Sequence, residues 1–147
     1  MKELEGDLIA FAKSGYFDVI IHGCNCFNTM GAGIAKSIKS EFPEAYQADL
    51  KTVKGSKEKL GTISYAKSGS ITVVNAYTQH NWRGRGVKAD YKAIRIAFKE
   101  VRNNFSGMKI GYPAIGAGLA GGDWALISQI ISEELYGEDH TLVVYKP

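Results

Sequence analysis

Tyr112-Pro113-Ala114-Ile115-Gly116-Ala117-Gly118-Leu119-Ala120-Gly121-Gly122-Asp123-Trp124 decides how this chain of 147 residues is read. Ahead of it, Met108 to Tyr112 is a short apolar run that reads as a strand and that Pro113 ends. Behind it, Asp123 to Leu135 sets Trp124, Ile127, Ile131 and Leu135 at helical spacing on one face. The stretch is therefore a glycine loop between a strand and a helix. The same arrangement occurs earlier. Asp18 to His22 reads as a buried strand, Gly31-Ala32-Gly33 follows, and a helix to Phe42 turns Ile34, Ile38 and Phe42 inward.

Glycine lets backbone N–H groups come close to an anion and permits positive φ, which is expected through Gly118 as well as its neighbours. The helix that follows adds a partial positive charge at its first turn, so each loop suits a phosphate. In a mostly parallel sheet such loops gather at the carboxyl ends of the strands. Two of them on one edge point to a diphosphate ligand; the alternative is that both serve tight turns only. Residues 116–121 also fit G-x-G-x-x-G, but a dinucleotide-binding unit needs an acidic strand end about 20 residues on and more sheet beyond it. The residues after Gly121 supply one helix and one strand, Thr141 to Tyr145. No Walker A pattern is present, so nucleoside triphosphate hydrolysis has no support.

Working outward, Pro43 closes the first helix and suits the first turn of another, through about Thr52. Strands follow near Gly61 to Ala66 and Ile71 to Tyr77, then a long helix from Asp90 with Tyr91, Ile94, Phe98, Val101 and Phe105 inward. This alternation predicts an α/β fold: a mixed sheet with helices on both faces. Length and a hydrophobic content of 45% fit a single domain over residues 1–147 with one real core. No apolar run approaches the roughly 20 residues of a membrane span. The start, Met1 to Glu5, lacks the apolar core of a signal peptide, so a cytoplasmic address is expected. A formal charge of +3 does not predict nucleic-acid binding, and the basic stretch Lys51 to Lys59 reads as a solvated loop. Cys24 and Cys26 read as buried free thiols, and no His/Cys/Asp/Glu cluster has metal-ligand spacing, so neither metal nor cofactor is expected.

With Glu5-Gly6-Asp7-Leu8, His22-Gly23-Cys24-Asn25-Cys26, Met30 to Ala35, Phe42 to Tyr46 and Ile115 to Trp124 in this order, the chain resembles the macrodomain family. The match is to the branch that contains ADP-ribose-1″-phosphate phosphatases and certain ADP-ribosyl hydrolases. The resemblance implies a three-layer αβα fold with a mixed, mostly parallel central sheet and an ADP-ribose cleft at the sheet edge. It implies that Asp7 accepts the adenine amino group beside the Leu8 backbone. It assigns the diphosphate to Gly31, Ala32, Gly33 and Ile34 and to Gly116, Ala117, Gly118, Leu119 and Ala120. It sets Asn25 against the distal ribose. The alternative for Asp7 is a cap of the helix opened by Leu8, and for Asn25 a turn after the strand.

The family holds readers, hydrolases and phosphatases, and the fold does not choose among them. One related hydrolase branch uses a lysine where this chain runs Thr78-Gln79-His80; another uses an aspartate in the second loop, where Ala120 stands. Both departures turn the reading toward a metal-independent ADP-ribose-1″-phosphate phosphatase with Asn25 and His80 as catalytic candidates. His80 is chosen because imidazole titrates near neutrality. Trp82, Arg83 and Arg85 belong either to a loop closing on a terminal phosphate or to an exposed one. His22 reads as a packed strand residue, and Asp90 and Asp123 as helix caps. The expected partners are ADP-ribose or ADP-ribose-1″-phosphate, with ADP-ribosylated macromolecules as the alternative and no membrane.

Overall fold

A computed structural model describes residues 1–147. The elements are β1 (Lys2–Gly6), α1 (Leu8–Lys13), β2 (Val19–Cys24), α2 (Gly33–Glu41), α3 (Pro43–Leu50), a 3₁₀ turn (Lys57–Lys59), β3 (Ile63–Ser68), β4 (Ile71–Tyr77), α4 (Tyr91–Phe105), β5 (Lys109–Tyr112), α5 (Trp124–Glu134) and β6 (Asp139–Tyr145). The six strands make one sheet in the order β1-β6-β5-β2-β4-β3. All neighbours are parallel except β3, which pairs antiparallel with β4 from Ile63 opposite Ala76 to Ser68 opposite Ile71. This is the mixed, mostly parallel sheet expected. The edge strand β1 escapes a pattern search because Lys2-Glu3-Leu4-Glu5-Gly6 has one apolar side chain; its backbone ladder with Thr141 to Tyr145 makes it a strand.

Strand alternation divides the core into two layers. Val19, Ile21, Val74 and Ala76 face α4 and α5, meeting Ile94, Phe98, Val101, Ile127 and Ile131. Ile20, Val73 and Val143 face the opposite way, against Leu8, Ile38, Phe42 and Ala45 of the α1–α3 side. A helix layer on each face buries the central strands completely: Val19, Ile20, Ile21, Val73 and Val74 expose 0%. The parallel run therefore points β1, β2, β4, β5 and β6 in one direction, with their carboxyl ends on one sheet edge. The loops after β1, β2, β4 and β5 meet there. No helix is long and apolar enough to cross a membrane.

Candidate functional site

The loops leaving the adjacent strands β2 and β5 form the two walls of a cleft of about 430 Å³. Gly31, Ala32, Gly33 and Ile34 line one wall; Gly116, Gly118, Leu119 and Ala120 line the other. Ala117 belongs to the second loop but does not line the cavity. A second pocket shares Gly33, Ile34 and Pro113 with this cleft and is lined further by Asp7, Leu8, Ile9, Val143 and Tyr145. The cleft is also bounded by Cys24, Asn25, Asp49, Thr78, Gln79 and Trp82.

How the helices begin sets the electrostatics. Asp7 caps α1, Asp90 caps α4 and Asp123 caps α5, each carboxylate accepting first-turn N–H groups. The residue at the same place in α2 is Ala32, whose side chain offers no acceptor. The first-turn N–H groups of α2 thus have no side-chain partner where the glycine wall lines the cleft, the arrangement that suits an anion.

The second loop is built on left-handed turns at Gly116 (φ +76°) and Gly121 (φ +70°). Gly122 donates to Gly116 O at 2.7 Å, and a Cβ at Gly122 would lie 2.6 Å from that same oxygen. These glycines close the turn. Gly118 differs from the expectation of positive φ: its φ is not left-handed and a Cβ there would meet nothing within 4 Å. It lies on open cleft. Leu119, 82% exposed, reaches across so that a Cβ at Gly33 would come 3.4 Å from its Cδ1.

Asp7 does cap: its Oδ1 accepts from Ile9 N at 2.9 Å and Ala10 N at 3.3 Å. The two roles weighed for it are compatible, because Oδ2 takes no part in the cap. Asn25 lines the cleft, yet its amide also shapes the loop, donating to Thr29 Oγ1 and accepting from Phe27 N, both at 2.8 Å. Each end of the amide retains one further donor or acceptor position.

His80, the other catalytic candidate, does not line the cleft; its Nε2 lies 2.9 Å from Gly55 O, and its ring packs edge-on to Phe27. The backbone explains why. Cys26 N donates to His80 O, and Gly55 N donates to Cys26 O, so the chain after Thr78 is stitched to the 26–55 region and the imidazole turns with it. Arg83 and Arg85 do not line the cleft either, and Arg83 lies over the Trp82 ring. Indeed no lysine, arginine or histidine borders the cavity.

Beneath the first loop lies a buried polar group of residues that composition could not reveal. His22 is fully buried, bonded through Nε2 to Asn75 Oδ1 at 2.7 Å, and burial lowers its pKa to about 4. Burial likewise pushes the Cys24 and Cys26 thiols up, keeping them protonated. Lys59, at the end of the stretch read as a solvated loop, is buried and donates to Cys26 O and to Asn28 Oδ1. Asn28 itself has φ +58°, which the pair of bonds to Lys59 and Thr52 holds in place. Asp49 faces Tyr77 OH at 2.6 Å. The helix pattern of Pro43 to Leu50 offered one signal for it: Asp49 stands on the apolar side, where an unpaired carboxylate is costly.

Comparison with known proteins places this geometry. The chain is 36% identical, over 89% of its length and 87% of the other's, to an uncharacterized 17.5 kDa protein from the tk-vs intergenic region of Enterobacteria phage T4. It is 27% identical, over 88% of its length, to a DNA ADP-ribosyl glycohydrolase of Thermus aquaticus, of which it spans 38%. A shorter match, 46% over 46 residues, joins 31% of the chain to 21% of an ADP-ribose 1″-phosphate phosphatase of Aspergillus oryzae. Among solved structures, a Bacteroides thetaiotaomicron protein superposes with a TM-score of 0.80 at 26% identity, over 99% of this chain and 98% of that one. DarTG of Thermosipho africanus, solved in complex with ADP-ribose, shares the fold (TM-score 0.75, 20% identity, all of this chain and 42% of that one). The Macro domain model matches residues 21–131, which carry both glycine walls and the strands behind them, and the chain belongs to that family.

Proposed function

We propose that residues 1–147 act as one macrodomain that binds ADP-ribose along this cleft. The observation that carries the reading is that the two pockets adjoin, sharing Gly33, Ile34 and Pro113. A diphosphate between the glycine walls puts adenine at Asp7 and Leu8 and the distal ribose at Asn25. Asp7 Oδ2 accepts the adenine amino group while Oδ1 keeps its cap. Gly31 to Ile34, with the uncapped first turn of α2, and Gly116 to Ala120 hold the diphosphate by backbone N–H groups. Isothermal titration with ADP-ribose, ADP and AMP tests this: affinity should rise in the order AMP, ADP, ADP-ribose. Absence of ADP-ribose binding would refute it.

The finer reading is removal of the terminal phosphate from ADP-ribose-1″-phosphate, supported by the local similarity to the A. oryzae phosphatase. Asn25 would orient the reacting end; His80, tied to Gly55 O, is not carried into this reading. A specific observation favours a second activity, removal of ADP-ribose from a modified macromolecule. No basic side chain borders the cavity to neutralise a dianionic terminal phosphate. Incubation with ADP-ribose-1″-phosphate, mono-ADP-ribosylated protein and ADP-ribosylated DNA separates the two. Binding without turnover on any of the three would leave a reader.

A further inference from the structure

The end of the cleft farthest from Asp7 holds a carboxylate that the proposed function does not use. Asp49, near the carboxyl end of α3, borders the cavity together with Cys24, Asn25, Thr78 and Gln79, yet only 1% of it is exposed. Its Oδ1 is occupied by Tyr77 OH. Its Oδ2 is buried and has no hydrogen-bond partner. Buried carboxylate oxygens are almost always paired, so this one calls for an explanation.

Lys59 does not supply it. That ammonium gives two of its three donors to Cys26 O at 3.1 Å and Asn28 Oδ1 at 2.6 Å, sits 4.6 Å over the Tyr77 ring, and makes no hydrogen bond to Asp49. It neutralises the region without bonding Asp49. Burial pushes the Asp49 carboxyl up, while the Tyr77 hydrogen bond and the Lys59 charge pull it back. What remains is one unbonded acceptor, buried in a residue that itself borders the cleft. An anion would be repelled there. A metal ion would lack ligands, since no group of three His, Cys, Asp or Glu side chains exists to hold one. An uncharged O–H donor is the chemistry that fits.

We propose that Asp49 forms a hydroxyl-recognising subsite, in which Oδ2 accepts, directly or through one water, from a sugar hydroxyl at the non-adenine end of the ligand. This rests on the ADP-ribose reading above, and it specifies what that end must be: a neutral polyol. A terminal phosphate would meet the carboxylate, so the subsite favours the second activity over the first.

The test uses the full chain and two ligands that differ only in the distal ribose. Asp49→Asn keeps the shape and the oxygen for Tyr77 but loses the charged acceptor. ADP-ribose affinity should fall about tenfold or more, as for loss of one hydrogen bond to a charged group, while ADP affinity holds. In the wild type, the ¹³C resonance of the Asp49 carboxyl should move on adding ADP-ribose and stay still on adding ADP; this decides the matter if the variant does not fold. Equal losses for both ligands, loss for neither, or an unmoved resonance would overturn the subsite alone. Failure of the wild type to bind ADP-ribose would overturn the proposed function and the subsite with it.

Discussion

Replacing Gly118 with valine adds an isopropyl group to backbone that faces open cleft. Because φ at this position is not left-handed and a Cβ meets nothing within 4 Å, the folded state should tolerate the change. A cost within about 0.5 kcal/mol is expected, as for substitutions that touch no core or cap. Binding is another matter. Gly118 lines the wall opposite the uncapped turn of α2, so the added methyls occupy the space assigned to the diphosphate. Losing two backbone hydrogen bonds to a charged group, at about 1.5–3 kcal/mol each, amounts to a loss of roughly 10² to 10⁴ in affinity. Calorimetric titration with ADP-ribose and a thermal melt on the same sample read the two effects separately. Gly122→Ala is the control with opposite sign: its Cβ would collide with Gly116 O, so stability should fall by about 1–3 kcal/mol. A folded Gly118→Val protein that binds ADP-ribose as the wild type does would refute the placement of the diphosphate.

ADP-ribose at about a hundred times its Kd should stabilise the fold by about 2.7 kcal/mol, seen as a raised Tm, and AMP at the same concentration should do much less. Asp7→Ala removes a cap and an adenine contact together. It should cost about 1 kcal/mol of stability and about 1.5–3 kcal/mol of affinity; a lowered Tm with unchanged affinity would make Asp7 a cap only. Acid should destabilise the chain through His22, whose folded pKa of about 4 lies below its ordinary 6.5. Between those values the unfolded state binds a proton that the folded state refuses, so stability is intact above pH 6.5 and is lost toward pH 4. The slope is about 1.4 kcal/mol per pH unit, and buried His140, also lowered to about 4, adds to it with the same sign. Urea midpoints at pH 7 and 4.5 measure this, and His22→Gln should remove the His22 share of the difference while that of His140 stays.

The parallel core was legible because Val19, Ile20 and Ile21 form an unbroken β-branched run bounded by turn residues, the pattern of a strand covered on both faces. The glycine walls were legible because glycine and the following apolar helix face lie next to each other in sequence. The inner end of the cleft was not. Asp49 and Lys59 are held by Tyr77 of β4 and by Asn28 of the loop after β2, partners distant in sequence that only the folded chain brings to them. The position of His80 outside the cavity lining was hidden for a similar reason. Residue type suggested a proton carrier, but the backbone bonds of Cys26 and Gly55 decide where its ring points. Local pattern reports which face of an element is buried, whereas side-chain direction in a loop is set by partners far along the chain.

Leu119 has a kinetic meaning. Its exposed side chain on the second wall comes near Gly33 on the first, where an added Cβ would lie 3.4 Å from Leu119 Cδ1. A ligand passing between the walls at this narrow point would have to push the Leu119 side chain aside. Association should then be slowed by that side-chain movement, and departure slowed with it. Trimming the side chain with Leu119→Ala would quicken arrival and escape together. Leu119 would thus set how long the molecule stays more than how tightly it is held.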